Sequence, residues 1–204
     1  MELTKRALQL CRFSAGASLV DIGCGEGQTV RYVNSCTDFK MTGVDKDGAA
    51  IEKAIAEGTC CLIADAAALP FCAAAFDGVF FECSFSKIEP PATALLEARR
   101  LLKERGRLVI TDFYADAQAG AKETTLSGLL GRVEFKETIA ARLAAAGFEL
   151  TFFEDHTKAL RQLFGQLIFD FGRGFLDDAL GKETTGVTAK LSYGLFIAEK
   201  VTGN

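Results

Sequence analysis

Strand-like and helix-like segments alternate along most of the chain, and this alternation restricts its fold more than any other feature. Short apolar runs typical of buried strands are separated by stretches rich in Ala, Leu, Glu, Lys and Arg, which favour helices. Strand, helix and strand in succession predict a mostly parallel sheet with helices on both faces. The seven candidate strands are residues 18–22, 40–44, 59–63, 76–82, 107–112, 149–154 and 192–200.

The expected helices fill the intervals, but two stretches break the simple alternation. Residues 114–134 show little periodicity and predict a mobile loop or a short helix after the fifth strand, which makes them a candidate lid. Residues 157–185 form an insertion between the sixth and seventh strands, and its first part has the apolar stripe of an amphipathic helix. The main expected helices are residues 27–34, 47–57, 91–102 and 135–146.

Residues 1–204 are expected to form a single α/β domain that includes the insertion, because no internal repeat or Pro-rich linker divides them. The formal net charge of -4 and the scattered Lys and Arg residues argue against nucleic acid as the main substrate. Neither a bilayer-spanning apolar run nor a signal-peptide core is found, so we expect a cytoplasmic protein without a membrane partner.

The seven cysteines are numerous for this length, but their spacing does not build a repeated C-x-x-C frame. They are interpreted as free thiols, each a small buried hydrophobic residue by default. We therefore expect no metal site.

The first candidate strand leads directly into the run 21–27, DIGCGEG, which is followed by a helix. Glycines allow a tight turn and let the backbone approach a ligand, and the helix N-terminus offers unpaired N–H groups. The spacing is G-x-G-x-G, whereas the dinucleotide fingerprint G-x-G-x-x-G would need glycine where Gln28 stands. The loop therefore favours a nucleoside other than a nicotinamide or flavin dinucleotide.

Two carboxylates follow the next two strands. Asp45 ends the second strand about twenty residues after the loop, where an acid can accept hydrogen bonds from both ribose hydroxyls. The alternative is that Asp45 caps the following helix, although Asp47 is better placed for that. Asp65 ends the third strand, where it can accept a hydrogen bond from the exocyclic amine of adenine.

Together these motifs resemble the class I S-adenosylmethionine-dependent methyltransferase family over nearly the whole chain. Residues 21–27 are similar to its first motif, Asp45 to its ribose-binding acid, and residues 76–83 and 102–112 to its fourth strand and the turn into its fifth. The resemblance implies a Rossmann-like sheet of seven strands whose last strand is antiparallel, with S-adenosylmethionine as cofactor. The cofactor-binding residues that it implies are Asp21, Gly23, Cys24, Gly25, Gly27, Asp45, Lys46, Asp65, Ala66, Glu82, Cys83 and Ser84.

The sequence departs from the family pattern after the ribose-binding acid. Lys46 stands where an apolar residue usually packs on adenine, so the ribose contact is the better supported of the two.

Two residues are candidates for chemistry at the methyl acceptor. Cys83 follows the fourth strand, where a thiolate could meet a soft or metalloid acceptor, or where a small residue could simply leave room for the cofactor. His156 is the only histidine and is either a general base or a residue of a solvated turn. The aromatic-rich insertion, with Phe164, Phe169, Phe171 and Phe175, is interpreted as a cover for an apolar or planar acceptor, a surface for self-association as a homodimer, or a helix packed on the sheet.

The resemblance implies methyl transfer to a small-molecule acceptor. The methyl group of the cofactor is already activated, so a general base is needed only where the acceptor must lose a proton, and no catalytic residue is assigned. The alternative from another class is a regulatory protein that binds a nucleoside cofactor without turnover.

Overall fold

One seven-stranded sheet forms the centre of the molecule. The computed structural model describes residues 1–126, 130–172, 174–175 and 191–201. The strands of this sheet follow the order β3-β2-β1-β4-β5-β9-β8, and only β9 runs antiparallel to its neighbours. Their bounds are β1 Ser18–Ile22, β2 Lys40–Asp45, β3 Cys61–Ile63, β4 Phe76–Glu82, β5 Leu102–Ala115, β8 Phe148–Asp155 and β9 Leu191–Lys200. The predicted α/β fold, with its antiparallel last strand, is confirmed.

Helices cover both faces of the sheet, as the alternation predicts. On one face, α1 and α2 pack over Leu19, Phe80 and Val109; on the other, α4 and α5 pack over Phe81 and Ile110. The helices are α1 Glu2–Cys11, α2 Gln28–Cys36, α3 Gly48–Ala56, α4 Pro91–Leu101, α5 Lys136–Ala145 and α6 Thr157–Phe171. Among the described helices, none has both the length and the hydropathy that a membrane span requires.

The stretch 114–134 differs from its prediction. Instead of a mobile loop or short helix, it continues β5 to Ala115 and then forms a small antiparallel hairpin of β6 Thr124–Leu126 and β7 Gly131–Val133. Strands of three residues are too short to produce a readable alternation of apolar and polar positions, which is why the sequence pattern does not reveal them. Residues 127–129 of this stretch lie outside the described residues.

The insertion 157–185 begins as predicted with the amphipathic helix α6. Its residues 173 and 176–185 lie outside the described residues. Leu160 of α6 packs with Leu126 and Val133 of the hairpin and with Leu191 of β9. We call this the cap cluster, formed by buried Ala115, Leu126, Leu130, Val133, Leu160 and Leu191 with Phe113, Ala121, Phe135, Phe164, Leu167 and Tyr193 packed against it.

The strand order reverses between β1 and β4, because β2 and β3 lie on one side of β1 and the later strands lie on the other. In open sheets of this kind, ligands bind at the carboxyl ends of the strands beside such a reversal. The glycine loop that follows β1 lies at this edge.

Candidate functional site

The glycine loop is a tight turn whose backbone conformation favours glycine. Gly23, Gly25 and Gly27 have φ values of 80°, 53° and 73°, in the left-handed region where a side chain is strained. A Cβ on Gly23 would stand 2.5 Å from the Cβ of Ser84. The Gly23 N–H also donates to the Val44 carbonyl at 2.7 Å, which holds the loop on β2.

Cys24 turns away from the open side of the loop. Its Sγ lies 3.8 Å from the Sγ of Cys61, and the two thiols flank Gly43 of β2. Burial raises the pKa of the Cys24 thiol, so this residue packs as a small neutral side chain.

Asp45 connects the glycine loop to the start of α3. Its Oδ2 accepts a hydrogen bond from the Gly25 N–H at 2.8 Å, and its Oδ1 accepts one from the Asp47 N–H at 2.9 Å. Asp47 is the N-cap of α3, since its Oδ1 accepts from the N–H groups of Ala49 and Ala50. The alternative interpretation of Asp45 as the helix cap is therefore wrong.

A cleft of about 230 Å³ opens beside the loop at the carboxyl ends of β1, β2 and β3. Its lining includes the apolar residues Val44 and Ile88. Of the residues proposed from the sequence, Gly23, Asp45, Lys46, Asp65, Ala66 and Ser84 line it. Asp65 Oδ1 accepts from the Ala67 N–H at 2.8 Å.

The residues of one wall of the cleft were not predicted from the sequence. Lys87, Ile88 and Glu89 belong to the turn after β4 and line the cleft together with Asp45 and Asp65. Their position directly before Pro90 and Pro91, at the start of a helix, was the signal that could have marked them as a loop at the ligand-binding edge.

Ser84 fixes the two strand ends beside the cleft. Its hydroxyl donates to the Ile22 carbonyl at 2.6 Å, which joins the end of β4 to the end of β1. Ser84 also packs against Gly23. The close approach is possible because Gly23 has no Cβ and because Ser84 is small.

Two buried carboxylates lie behind the loop on the face covered by α1 and α2. Asp21 is 1 % exposed, and its Oδ1 has no hydrogen-bond partner among the described residues; the same holds for Glu82 Oε1. Glu82 Oε2 accepts from the hydroxyls of Thr4 and Thr29, at 3.0 and 2.9 Å.

Burial, and then the neighbouring carboxylates of Glu82 and Asp45, raise the pKa of Asp21 well above its ordinary value. Burial likewise raises the pKa of Glu82. Two acids held so close together in a desolvated place favour the binding of a cation.

Cys83 follows at the corner after β4, with φ 53°. Its thiol is open to solvent on one side but otherwise surrounded by protein, and this burial raises its pKa to about 11. The side chain is therefore a neutral thiol near pH 7 and lacks the electropositive setting that a thiolate needs. The Sγ lies 2.7 Å from the hydroxyl of Tyr193 on β9.

Asp112, at the same edge of the sheet, holds the turn after β4 against β5. Its carboxylate accepts from the Ser86 N–H at 2.8 Å, the Ser86 hydroxyl at 3.0 Å and the Phe113 N–H at 2.8 Å. Burial raises its pKa to about 6.

His156 lies apart from the cleft, immediately before α6. Its backbone N–H donates to the Tyr193 carbonyl at 2.7 Å, and its Nε2 is 3.9 Å from Glu154 Oε1. The ring therefore faces the acid at the end of β8 rather than the glycine loop.

Comparison with known proteins finds methyltransferases among those similar to this chain. A family model described as a methyltransferase domain matches residues 20–110. An O-methyltransferase of Pyrenophora dematioidea is 28 % identical over 98 % of this chain and 80 % of its own length. An O-methyltransferase of Aspergillus nomiae is 31 % identical over 50 % of this chain and 49 % of its own length, so the chain matches only about half of that relative.

Among solved structures, the crystal structure of the [4+2]-cyclase SpnF superposes with a TM-score of 0.78. It is 23 % identical and covers 99 % of this chain and 81 % of its own. At this identity the likeness concerns the fold.

Proposed function

We propose that the chain is a class I S-adenosylmethionine-dependent methyltransferase, which transfers a methyl group from S-adenosylmethionine to a small-molecule acceptor. The observation that carries this proposal is the Asp45 carboxylate, which is fixed by backbone N–H groups from both sides at the edge of the cleft. A carboxylate has about four lone-pair positions, so Asp45 retains acceptor capacity for the two ribose hydroxyls.

The other end of the cleft suits an adenine ring. Asp65 retains an oxygen that can accept from the exocyclic amine, beside the backbone turn at Ala66. Val44 and Ile88 supply apolar surface for the flat ring, so the stacking that Lys46 could not provide comes from other positions.

The two buried carboxylates fit the remaining part of the cofactor. Its amino-acid portion carries an ammonium group, and the unpartnered oxygens of Asp21 and Glu82 are acceptors for such a donor. Without a cation, each of these oxygens is desolvated at a cost of about 1–3 kcal/mol or more. The residues present therefore match the group that the family requires.

S-adenosylmethionine, when bound, supplies a methyl group that its positive sulfur already activates. The chain's own contribution is to bind and align: Asp45 and Asp65 hold the nucleoside, Ser84 fixes the loop against β4, and the turn at Lys87 closes the cleft wall. Precise approach of the two reactants accounts for much of the rate enhancement in reactions of this type.

Two measurements test this function. Isothermal titration should show binding of S-adenosylmethionine. The Asp45→Asn substitution should weaken this binding by about tenfold to a hundredfold, because it replaces the charged carboxylate that accepts from the ribose hydroxyls by a neutral amide. Glu52→Gln, on the exposed side of α3, is the matched control and should bind like the unsubstituted protein. No binding would contradict the proposal.

The second measurement uses S-adenosylmethionine with a labelled methyl group and a cell extract separated into small molecules and macromolecules. We expect label in the small-molecule fraction. The alternative, a nucleoside-binding regulatory protein without turnover, predicts binding and no labelled product. Since one protein of this fold is named a [4+2]-cyclase, binding without transfer would favour that alternative or another chemistry.

A further inference from the structure

Beyond Ser84, the carboxyl ends of β4 and β5 and the amino end of β9 bring together side chains that the proposed cofactor site does not use. Phe113 and Tyr193 are paired across β5 and β9, and their rings meet edge to face with centroids 5.2 Å apart. The Tyr193 hydroxyl lies 2.7 Å from Cys83 Sγ and also hydrogen-bonds to the Thr111 side chain.

The Tyr193 hydroxyl, the Cys83 thiol and the Thr111 hydroxyl form a polar group beside the apolar cap cluster. Phe113 and Tyr193 are half-buried and pack against the cap cluster, whose other members are almost all aliphatic or aromatic. Cys83 adjoins Ser84, which lines the cofactor cleft. The Tyr193 hydroxyl therefore lies between the cap cluster and the residue that adjoins the cofactor cleft.

Both polar groups are neutral donors near pH 7. Burial raises the pKa of Tyr193 far above its ordinary value, and it raises the pKa of Cys83 to about 11. A neutral O–H donor stabilises an oxyanion and lowers the pKa of the hydroxyl from which that oxyanion forms.

Resting on the proposed methyl transfer, we propose that Tyr193 binds the acceptor, and that the acceptor is a flat, mostly apolar molecule with a phenolic or enolic hydroxyl. Tyr193 donates a hydrogen bond to the acceptor oxygen, and the half-buried ring of Phe113 contacts its apolar body. The oxygen then forms a bond to the methyl carbon, the carbon–sulfur bond breaks with its electron pair remaining on sulfur, and the hydroxyl proton passes to water.

The geometry favours oxygen over nitrogen as the attacking atom. An acceptor oxygen keeps a second lone pair for attack while it accepts from Tyr193. A neutral amine has one lone pair, which a hydrogen bond from Tyr193 would occupy. The same donor therefore assists a phenol and hinders an amine.

The test uses the full chain saturated with S-adenosylhomocysteine and two probes of equal shape, 1-naphthol and 1-naphthylamine. We expect 1-naphthol to bind, and Tyr193→Phe to weaken its binding by about tenfold, the loss of one hydrogen bond. The lone pair of 1-naphthylamine is delocalised into its ring and accepts hydrogen bonds weakly, so binding of this probe should change less than binding of 1-naphthol. The pKa of bound 1-naphthol, followed by its absorbance, should be higher in Tyr193→Phe than in the unsubstituted protein.

Tyr114→Phe is the matched control, because Tyr114 is the next residue after Phe113 and donates its hydroxyl to Asp155 instead. It should leave both probes and the bound naphthol pKa unchanged. The inference is overturned if 1-naphthol does not bind the saturated protein, or if Tyr193→Phe leaves its affinity and its pKa unaltered. Failure of S-adenosylhomocysteine itself to bind would instead contradict the proposed function.

Discussion

Replacing Arg132 should loosen the wall of the cofactor cleft. Arg132 lies on β7 of the hairpin, and its side chain is only 10 % exposed. It donates to the Phe85 carbonyl at 2.8 Å and the Ile88 carbonyl at 2.6 Å, its guanidinium lies 5.6 Å from the Phe85 ring centroid, and it pairs with Glu89. The hairpin therefore holds the turn that supplies one side of the cleft.

The size of the effect follows from these contacts. Hydrogen bonds from a charged donor are worth about 1.5–3 kcal/mol each. Arg132→Met keeps most of the packing volume but removes both donors, so we expect a loss of about 3–4 kcal/mol in the free energy of unfolding. For a chain of this size that corresponds to a decrease of about 10 °C in the unfolding temperature. The affinity for S-adenosylhomocysteine should fall by about tenfold, because Ile88 and Glu89 would no longer be fixed.

Urea denaturation and isothermal titration measure the two effects. Arg31→Met is the control, since Arg31 forms an ion pair with the largely exposed Glu57, and pairs of that kind contribute about 0–1 kcal/mol. Arg132→Lys keeps the positive charge but lacks the planar guanidinium group, so its stability should lie between those of Arg132→Met and Arg31→Met. The bracing role of Arg132 is refuted if Arg132→Met is no less stable than Arg31→Met and binds the ligand normally.

Two further predictions concern packing and pH. Gly43→Ala should destabilise the protein by about 1–3 kcal/mol, because the new Cβ would lie 2.6 Å from the sulfurs of Cys24 and Cys61. In urea denaturation, adding Cys61→Ala should recover part of this loss. If the effects of the two substitutions simply add, the explanation is wrong. The folded protein keeps a proton on Asp112 up to about pH 6, whereas the unfolded chain releases it near pH 4. The free energy of unfolding should therefore fall by about 3 kcal/mol as the pH rises between these values. Asp112→Asn should flatten that slope in unfolding curves measured from pH 4 to 7, and an unchanged slope would show that other groups cause it.

Local signals were sufficient to predict most of the sheet. The strands are buried and mostly parallel, so they appear in the sequence as short apolar runs, and the glycines mark the turns between them. The limits of β5 were less visible, because it extends from Leu102 to Ala115 through charged residues. Arg105, rather than a glycine, takes the left-handed conformation there, with φ 61°.

The candidate site was only partly visible from the sequence, for a reason that lies in the topology. Asp45 and Asp65 follow strands that are close together in the chain, so their common edge could be inferred from strand order alone. Tyr193 meets Cys83 across 110 residues, because β9 returns between β5 and β8. Nothing in the local pattern around Tyr193 distinguishes it from any other aromatic residue of a buried strand.

The buried acids at the ends of β1 and β4 lower the stability of the free protein. Asp21 and Glu82 each keep an unpartnered buried oxygen, and Asp45 adds a third carboxylate nearby. Such groups reduce the stability of the folded chain, because burial removes hydration from their charged forms. The positive N-terminus offsets part of this cost at Glu82. A ligand that carries an ammonium restores the missing partner, so its binding free energy adds directly to folding stability. The same carboxylates that weaken the free protein therefore favour a cationic nucleoside ligand over a neutral or anionic one.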